Sequence, residues 1–304
     1  PARGPVATVT TVLVAAVLLF AVTRAIPALL GGVSPTHRFL AISGAELACA
    51  LVIAEGVAAV LGGRRRAMGL AFSAGTPWRL LQGSLIGAVA ATVIVLTGAS
   101  LGGFTISLAE PDVRAVGMIA LDAAAVFAGA AFEELAFRVA LSGPLTLVFP
   151  RNISLVLPAA VFGIAHASNA GASLLSTTNT VLAGLLLAIY VYVPKKRMTG
   201  NSNVFPDLGL AVGFHFAWNF ALGWLWGAPV SGYRANHRFL LAEPLDTAFS
   251  GGSYGPEATL FATAIFLGLA MFAVRGTSRG DRSAPAMPPG AAESVPSSEL
   301  GKSL

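Results

Sequence analysis

The sequence predicts an all-α, polytopic membrane protein, and three observations lead there. Hydrophobic residues make up 55% of the 304 and charged ones only 11%, with a mean hydropathy of +0.76, whereas soluble domains carry about 25% charged residues. The apolar residues gather into runs close to the ~20 residues that cross ~30 Å of hydrocarbon. The basic residues collect in alternate connections between those runs, as the positive-inside rule requires of a protein that crosses a membrane several times.

The runs place about eight transmembrane helices, at 6–30, 39–61, 80–101, 113–142, 153–169, 179–193, 208–226 and 258–274. The first is too long for a signal-peptide core and reads as a span. The second holds Cys49, the single cysteine, which excludes an intrachain disulfide or a Cys-based zinc site and reads as a buried small residue. Gly98 with Gly102, and Gly209 with Gly213, have the spacing that lets helices approach closely, although in a chain with 34 glycines such pairs also arise by chance. The fifth and sixth runs are short, as expected of helices that border a cavity. Trp78 before the third run, and Trp224 and Trp226 at the end of the seventh, fit interfacial aromatic belts. The connection 227–257 mixes Pro, Gly and charges and is expected to fold over the outer surface. Residues 1–276 therefore read as one helical transmembrane domain. The tail 277–304, rich in Ser, Pro, Ala and Gly, reads as disordered and cytoplasmic. No internal repeat stands out beyond hydrophobicity, which weakens a transporter built from inverted halves.

Charge sets the orientation. Both termini and the connections after the second, fourth and sixth runs carry Arg3, Arg64, Arg65, Arg66, Arg79, Arg151, Lys195, Lys196, Arg197, Arg275, Arg279, Arg282 and Lys302, against Arg24, Arg38, Arg114, Arg234 and Arg238 on the other side. Both termini are expected in the cytoplasm. The net charge of +5 is spread over these short loop clusters, so it reads as topology and not as a nucleic-acid surface. The Ala/Gly/Arg-rich, Lys-poor composition points to a high-GC bacterial genome and so to the inner membrane.

The candidate site starts at Phe132-Glu133-Glu134-Leu135-Ala136-Phe137-Arg138, three charges inside a lipid-like run. Each carboxylate costs roughly 2.5–3.5 kcal/mol at a helix centre, and an ion pair with Arg138 accounts for only one of them. Glu134 and Arg138 are i,i+4 neighbours and can pair. Glu133 points about 100° away, free to face a cavity, with Phe137 one turn on as a shield from water. Three other polar groups lie deep in apolar runs: His166, and His215 with Asn219 on one face of the seventh run. At ~1.5 Å rise per residue, Glu133 lies about 13 Å, His166 about 20 Å, His215 about 10 Å and Asn219 about 16 Å from the cytoplasmic ends of their runs. One slab holds all four and implies a polar intramembrane cavity open to the cytoplasm.

These groups can hydrolyse an amide in two ways. Without a metal, Glu133 and His166 deprotonate a water that attacks the carbonyl, and His215 and Asn219 donate to the oxyanion. With one, Glu133, His166 and His215 hold zinc, which lowers the pKa of its water. The residues do not choose between the schemes.

Glu-Glu-x-x-x-Arg, then Phe-x-x-x-His, then His-x-x-x-Asn, in that order on successive apolar runs, resembles the CPBP family of CAAX proteases and bacteriocin-processing enzymes (Abi proteins), which includes the type II CAAX prenyl endopeptidases. The resemblance covers about 117–225. It implies an intramembrane endopeptidase, often described as a metalloprotease, acting on a membrane-anchored or lipidated peptide or protein. Carried over by motif position, Glu133 would be the base and His166 its partner. His215 and Asn219 would be the oxyanion donors, with Glu134 and Arg138 in support. Val139 stands where the family usually has Gly. On this reading no cofactor is required in the metal-free scheme and zinc is the candidate in the other. The bilayer and an anchored substrate are the partners, with no nucleic acid.

Two other functions compete: a proton- or ion-coupled transporter using the same groups as a relay, and a non-catalytic relative serving as membrane scaffold or immunity protein. Bare outer halves of the runs weigh against the first and the intact motif set against the second. Glu46, Glu55 and Asp122 are secondary candidates, and His37 and His237 read as solvated loop residues.

Overall fold

The computed structural model describes residues 4–110, 112–192 and 206–281. Apolar runs this long become helices because a helix satisfies its own backbone N–H and C=O groups where no water is present. In chain order they are α1 (Pro5–Leu29), α2 (Pro35–Val60), α3 (Thr76–Ser100), α4 (Val113–Glu134), α5 (Arg151–Ala165), α6 (Leu174–Tyr192), α7 (Gly209–Phe220) and α8 (Leu260–Asp281). Five stretches are long and apolar enough to cross a membrane: Pro5–Gly32, His37–Val60, Thr76–Ser100, Val113–Leu145 and Leu174–Tyr192. Together they make this a helical integral membrane protein. Arg151–Ala165 and Leu260–Arg275 are shorter apolar helices. α8 runs on to Asp281, past the expected start of a disordered tail, and the rest of that tail lies outside the described residues.

The structure is not purely helical. Phe104–Leu108 (β1) and Leu240–Pro244 (β2) form a two-stranded antiparallel ladder, with Phe104 opposite Pro244 and Leu108 opposite Leu240. The ladder was not expected. Phe104-Thr105-Ile106-Ser107-Leu108 does alternate apolar and polar residues, whereas its partner Leu240-Leu241-Ala242-Glu243-Pro244 does not.

Two helices change pitch beside their polar residues. α4 continues after Glu134 as a π-helix over Leu135–Ser142, and α7 does the same over Ala221–Leu225. Single π segments inside α-helices recur at functional sites.

The closest helix pair is α3 with α7. Gly83 and Gly87 of α3 face Gly209 and Gly213 of α7 with almost no room. A Cβ on Gly213 would sit 2.1 Å from the Leu80 carbonyl oxygen, and one on Gly83 would sit 2.2 Å from that of Leu210. At Gly87 the intruded atom is the Phe214 oxygen, 2.4 Å away. Both helices thus pack backbone to backbone, as small residues allow in membranes. Asp207 secures the start of α7: its carboxylate accepts from the Thr76 hydroxyl (2.5 Å) and from the Gly209 backbone N–H (2.7 Å). Gly102, by contrast, has no neighbour to approach and sits at φ 77° in a turn.

The aromatic expectations divide. Trp78 is exposed, as an interfacial residue would be. Trp224 is not: it is 2% exposed, stacked between Phe39, Phe220 and Tyr233, and donates Nε1–H to Asp122 Oδ2 at 2.9 Å. Trp226 donates to the Thr92 hydroxyl at 3.1 Å. Cys49 is half-buried, not fully so.

Candidate active site

Glu134 is the centre of the polar cluster. It is fully buried, as is Arg138, whose Nε–H donates to Glu134 Oε2 at 3.0 Å. The other oxygen, Oε1, accepts from His215 Nδ1 at 3.0 Å. Pairing with Arg138 was legible from the i,i+4 spacing. The tie to His215 was not, because nothing in a sequence shows which face of one helix meets another. The remaining Arg138 nitrogens have no hydrogen-bond partner in the protein. The guanidinium lies 5.2 Å over the Phe162 ring and 5.9 Å from that of Phe137, a cation–π arrangement that partly offsets its burial.

Because His215 Nδ1 carries the proton given to Glu134, its Nε2 faces the other way, 3.6 Å from Glu133 Oε2. That separation is too long for a direct hydrogen bond. Glu133 Oε2 is buried and has no hydrogen-bond partner in the protein, although its side chain as a whole remains 29% exposed. His215 therefore spans the two carboxylates, one hydrogen-bonded and one free.

His166 caps the C-terminus of α5. Its Nδ1 bonds the Phe162 carbonyl oxygen at 2.8 Å and its ring packs against the Phe162 ring at 4.6 Å. A carbonyl only accepts, so Nδ1 holds the hydrogen and Nε2 is left with a lone pair. Of the two histidines, His215 is the one within 4 Å of the Glu133 carboxylate. Phe162, not Phe137, is the phenyl ring in the cavity wall beside Glu133. Phe137 sits behind it in an edge-on contact at 5.0 Å.

Glu133, His166, His215 and Asn219 all line one cavity of about 300 Å³. Helix direction shows where it lies. Its lining comes from the first part of α2 (Phe39), the later half of α4 (Ala125 to Glu133), the end of α5, the later half of α7 and the segment 230–257. All of these belong to the middle of the bundle and the end roofed by residues 227–257. This lining gives no support to a cavity open at the end that holds the Arg64–Arg66 turn. Depth estimated from one end of each run fixes a level but not the side from which that level is reached.

Four lining residues had drawn no attention in the sequence: Asn169, Ser231, Tyr233 and Glu257. Asn169 Nδ2 donates to the Ser231 carbonyl at 2.9 Å. Glu257 Oε2 accepts from the Ser231 N–H (2.5 Å) and hydroxyl (2.8 Å), while Oε1 accepts from Trp218 Nε1–H (2.9 Å). Three of the four lie in the polar connection 227–257, where a carboxylate looks like ordinary solvated sequence. The one available signal was Glu257 standing directly before an apolar run.

None of the secondary candidates lines the cavity. Glu55 pairs with Arg65 on an exposed surface. Asp122 holds Trp224 and lies 3.9 Å from His237 Nδ1, so His237 is partly buried and not simply solvated. Glu46 is half-buried on α2, near enough for its charge and that of Glu133 to repel.

Zinc bound by Glu133, His166 and His215 is not supported by the donor positions. Among the described residues no three His, Cys, Asp or Glu side chains converge as a metal site.

The fold and site define a helical integral membrane protein with a buried Glu–Arg–His cluster at one wall of an intramembrane cavity. Residues 115–221 match a family model described as type II CAAX prenyl endopeptidase Rce1-like. That match bears out the resemblance read from the motifs, and makes this stretch similar to a CAAX-type intramembrane protease. It covers about a third of the chain and includes Glu133, Glu134, Arg138, His166, His215 and Asn219. No curated protein matches the chain.

Proposed function

We propose that the protein is an intramembrane endopeptidase in which Glu133 activates water for attack on a peptide bond of a membrane-anchored or lipidated substrate. The observation that carries this reading is the unpartnered Glu133 Oε2 in a cavity shared with His166, His215 and Asn219. A buried carboxylate oxygen without a donor is costly to maintain, and a substrate-bound water would satisfy it.

Glu133, helped by the free Nε2 of His166, takes a proton from water as its oxygen adds to the carbonyl carbon. With His215 held between the Glu133 and Glu134 carboxylates as an imidazolium, its Nε2–H and the Asn219 carboxamide donate to the oxyanion that forms. The same proton then passes from Glu133 to the leaving nitrogen as the C–N bond breaks. Glu134, locked to Arg138, holds the His215 imidazolium and its ring angle, the service a carboxylate gives to an imidazole in many hydrolytic sites. All eight apolar helices are taken as spanning, with the termini in the cytoplasm by the loop charges. The cavity then opens toward the opposite leaflet.

The test is a library of lipidated peptides presented to the purified protein in bilayers. Wild type is compared with Glu133→Ala and His166→Ala, each with and without a chelator. Cleavage should be abolished by Glu133→Ala and reduced about 10²–10⁴-fold by His166→Ala. Undiminished cleavage by Glu133→Ala would overturn the mechanism, and loss on chelation would replace it with a metal-dependent one.

A further inference from the structure

The cavity has a second acidic wall, built from the chain beyond the family match. Glu257 is 9% exposed and lies at the foot of α8, and its three hydrogen-bond donors (Trp218 Nε1–H, Ser231 N–H and Ser231 O–H) are all neutral. Among the described residues, no Lys, Arg or His lies within ion-pair distance of it, and none of the cavity's lining residues is Lys or Arg. Its Oε1 receives a single donor, although a carboxylate oxygen can accept two. Glu133, with Oε2 unbonded, lines the same cavity. Tyr254 feels both groups: burial, then the Glu257 and Glu133 charges, push its hydroxyl above the usual phenol range.

The wall that holds Glu257 is also rigid. Ser231 adopts φ 45°, uncommon for a residue with a side chain. It is fixed from three directions, by Glu257, by Asn169 and through Gly232 N–H to the Tyr254 carbonyl. A carboxylate placed this firmly, with spare acceptor capacity and no cation, is arranged for a cation that arrives with the ligand.

We propose that Glu257 is a specificity-determining residue. It selects membrane-anchored peptides that carry a Lys or Arg side chain able to reach its Oε1, and it disfavours those whose free C-terminal carboxylate would lie between Glu133 and Glu257. The proposal rests on the peptidase reading and adds to it the class of peptide preferred. Two carboxylates lining one cavity repel a third, and a low-dielectric cavity magnifies both this repulsion and the attraction for a cation.

The experiment uses the full chain in phosphatidylcholine nanodiscs and a series of palmitoylated, fluorescein-labelled peptides read by anisotropy. Each peptide carries one Lys, moved along the chain, with norleucine at the same position as its neutral counterpart. The C-terminus is either an amide or a free acid. At one position Lys should bind roughly tenfold tighter than norleucine, and amides should bind more tightly than acids. Glu257→Gln should remove the Lys preference and weaken the amide preference, since Glu133 remains, and Glu257→Asp should keep both. No Lys preference at any position, or a Lys preference that survives Glu257→Gln, overturns the proposal. If Glu257→Gln does not fold, the Lys-against-norleucine and amide-against-acid comparisons on the wild type decide. The same peptides separate this proposal from the reading it rests on. A Lys preference in peptides that are bound but never cut contradicts the peptidase. Cutting that depends on Glu133 but not on Lys contradicts only the selectivity.

Discussion

At the scale of single residues, the two adjacent glutamates have different work because they sit in different surroundings. Glu134 is enclosed and bonded to Arg138 and His215, whereas Glu133 keeps one free oxygen at a cavity. Removing one partner of a buried ion pair strands the other charge, which costs about 3–5 kcal/mol. Arg138→Met should therefore lower the melting temperature sharply. Arg138→Met combined with Glu134→Gln should recover part of that loss, because no uncompensated charge remains. If the double variant melts below the single one, the pair is not the buried unit described above. The sequence revealed Glu133, Glu134, Arg138, His166, His215 and Asn219 because each is a polar group within an apolar run, where its cost makes it conspicuous. It concealed Asn169, Ser231 and Glu257 because polar residues in or beside a polar connection stand out from nothing.

At the scale of elements, the site depends on how closely α7 approaches α3, since α7 carries His215 and Asn219. Gly213→Leu would drive a side chain into the Leu80 carbonyl, and overpacking of this kind costs typically about 1–3 kcal/mol. The variant should melt lower and should lose activity by displacing His215. Gly102→Ala, at the other glycine pair, should leave the helices where they are, because nothing lies near that position. Equal effects of the two substitutions would remove the distinction. The spacing of Gly209 and Gly213 was visible in the sequence, but chance pairs look the same. Gly83 and Gly87, which face them, have the same spacing and went unremarked. Only the partner surface shows which pairs touch. The pairing of β1 with β2 and the π segments after Glu134 and Phe220 depend on such contacts as well.

At the scale of the whole molecule, hydropathy located the apolar helices, and five stretches are long enough to cross a membrane, because spanning length is set by the thickness of the bilayer. It could not say which end of the bundle opens. Loop charge assigns the Arg64–Arg66 end to the cytoplasm, and the structure places the cavity toward the other end, beneath residues 227–257. The two can be tested together on a Cys49→Ala background. A cysteine at Tyr233, which is exposed at the cavity wall, should react with a membrane-impermeant thiol reagent added to intact cells. A cysteine at Arg64 should react only after the cells are opened. The reverse pattern would put the cavity on the cytoplasmic side and contradict the charge-based orientation.

All of this serves one claim, that Glu133 activates the water that cuts the peptide. The most direct measurement is the cleavage rate of a membrane-anchored peptide by wild type and by Glu133→Gln, with both melting temperatures recorded. Glu133 Oε2 has no bond to lose, so the account expects unchanged melting within about 1 kcal/mol of stability and cleavage lowered by at least about 10²-fold. A folded Glu133→Gln that cleaves at the wild-type rate would contradict it.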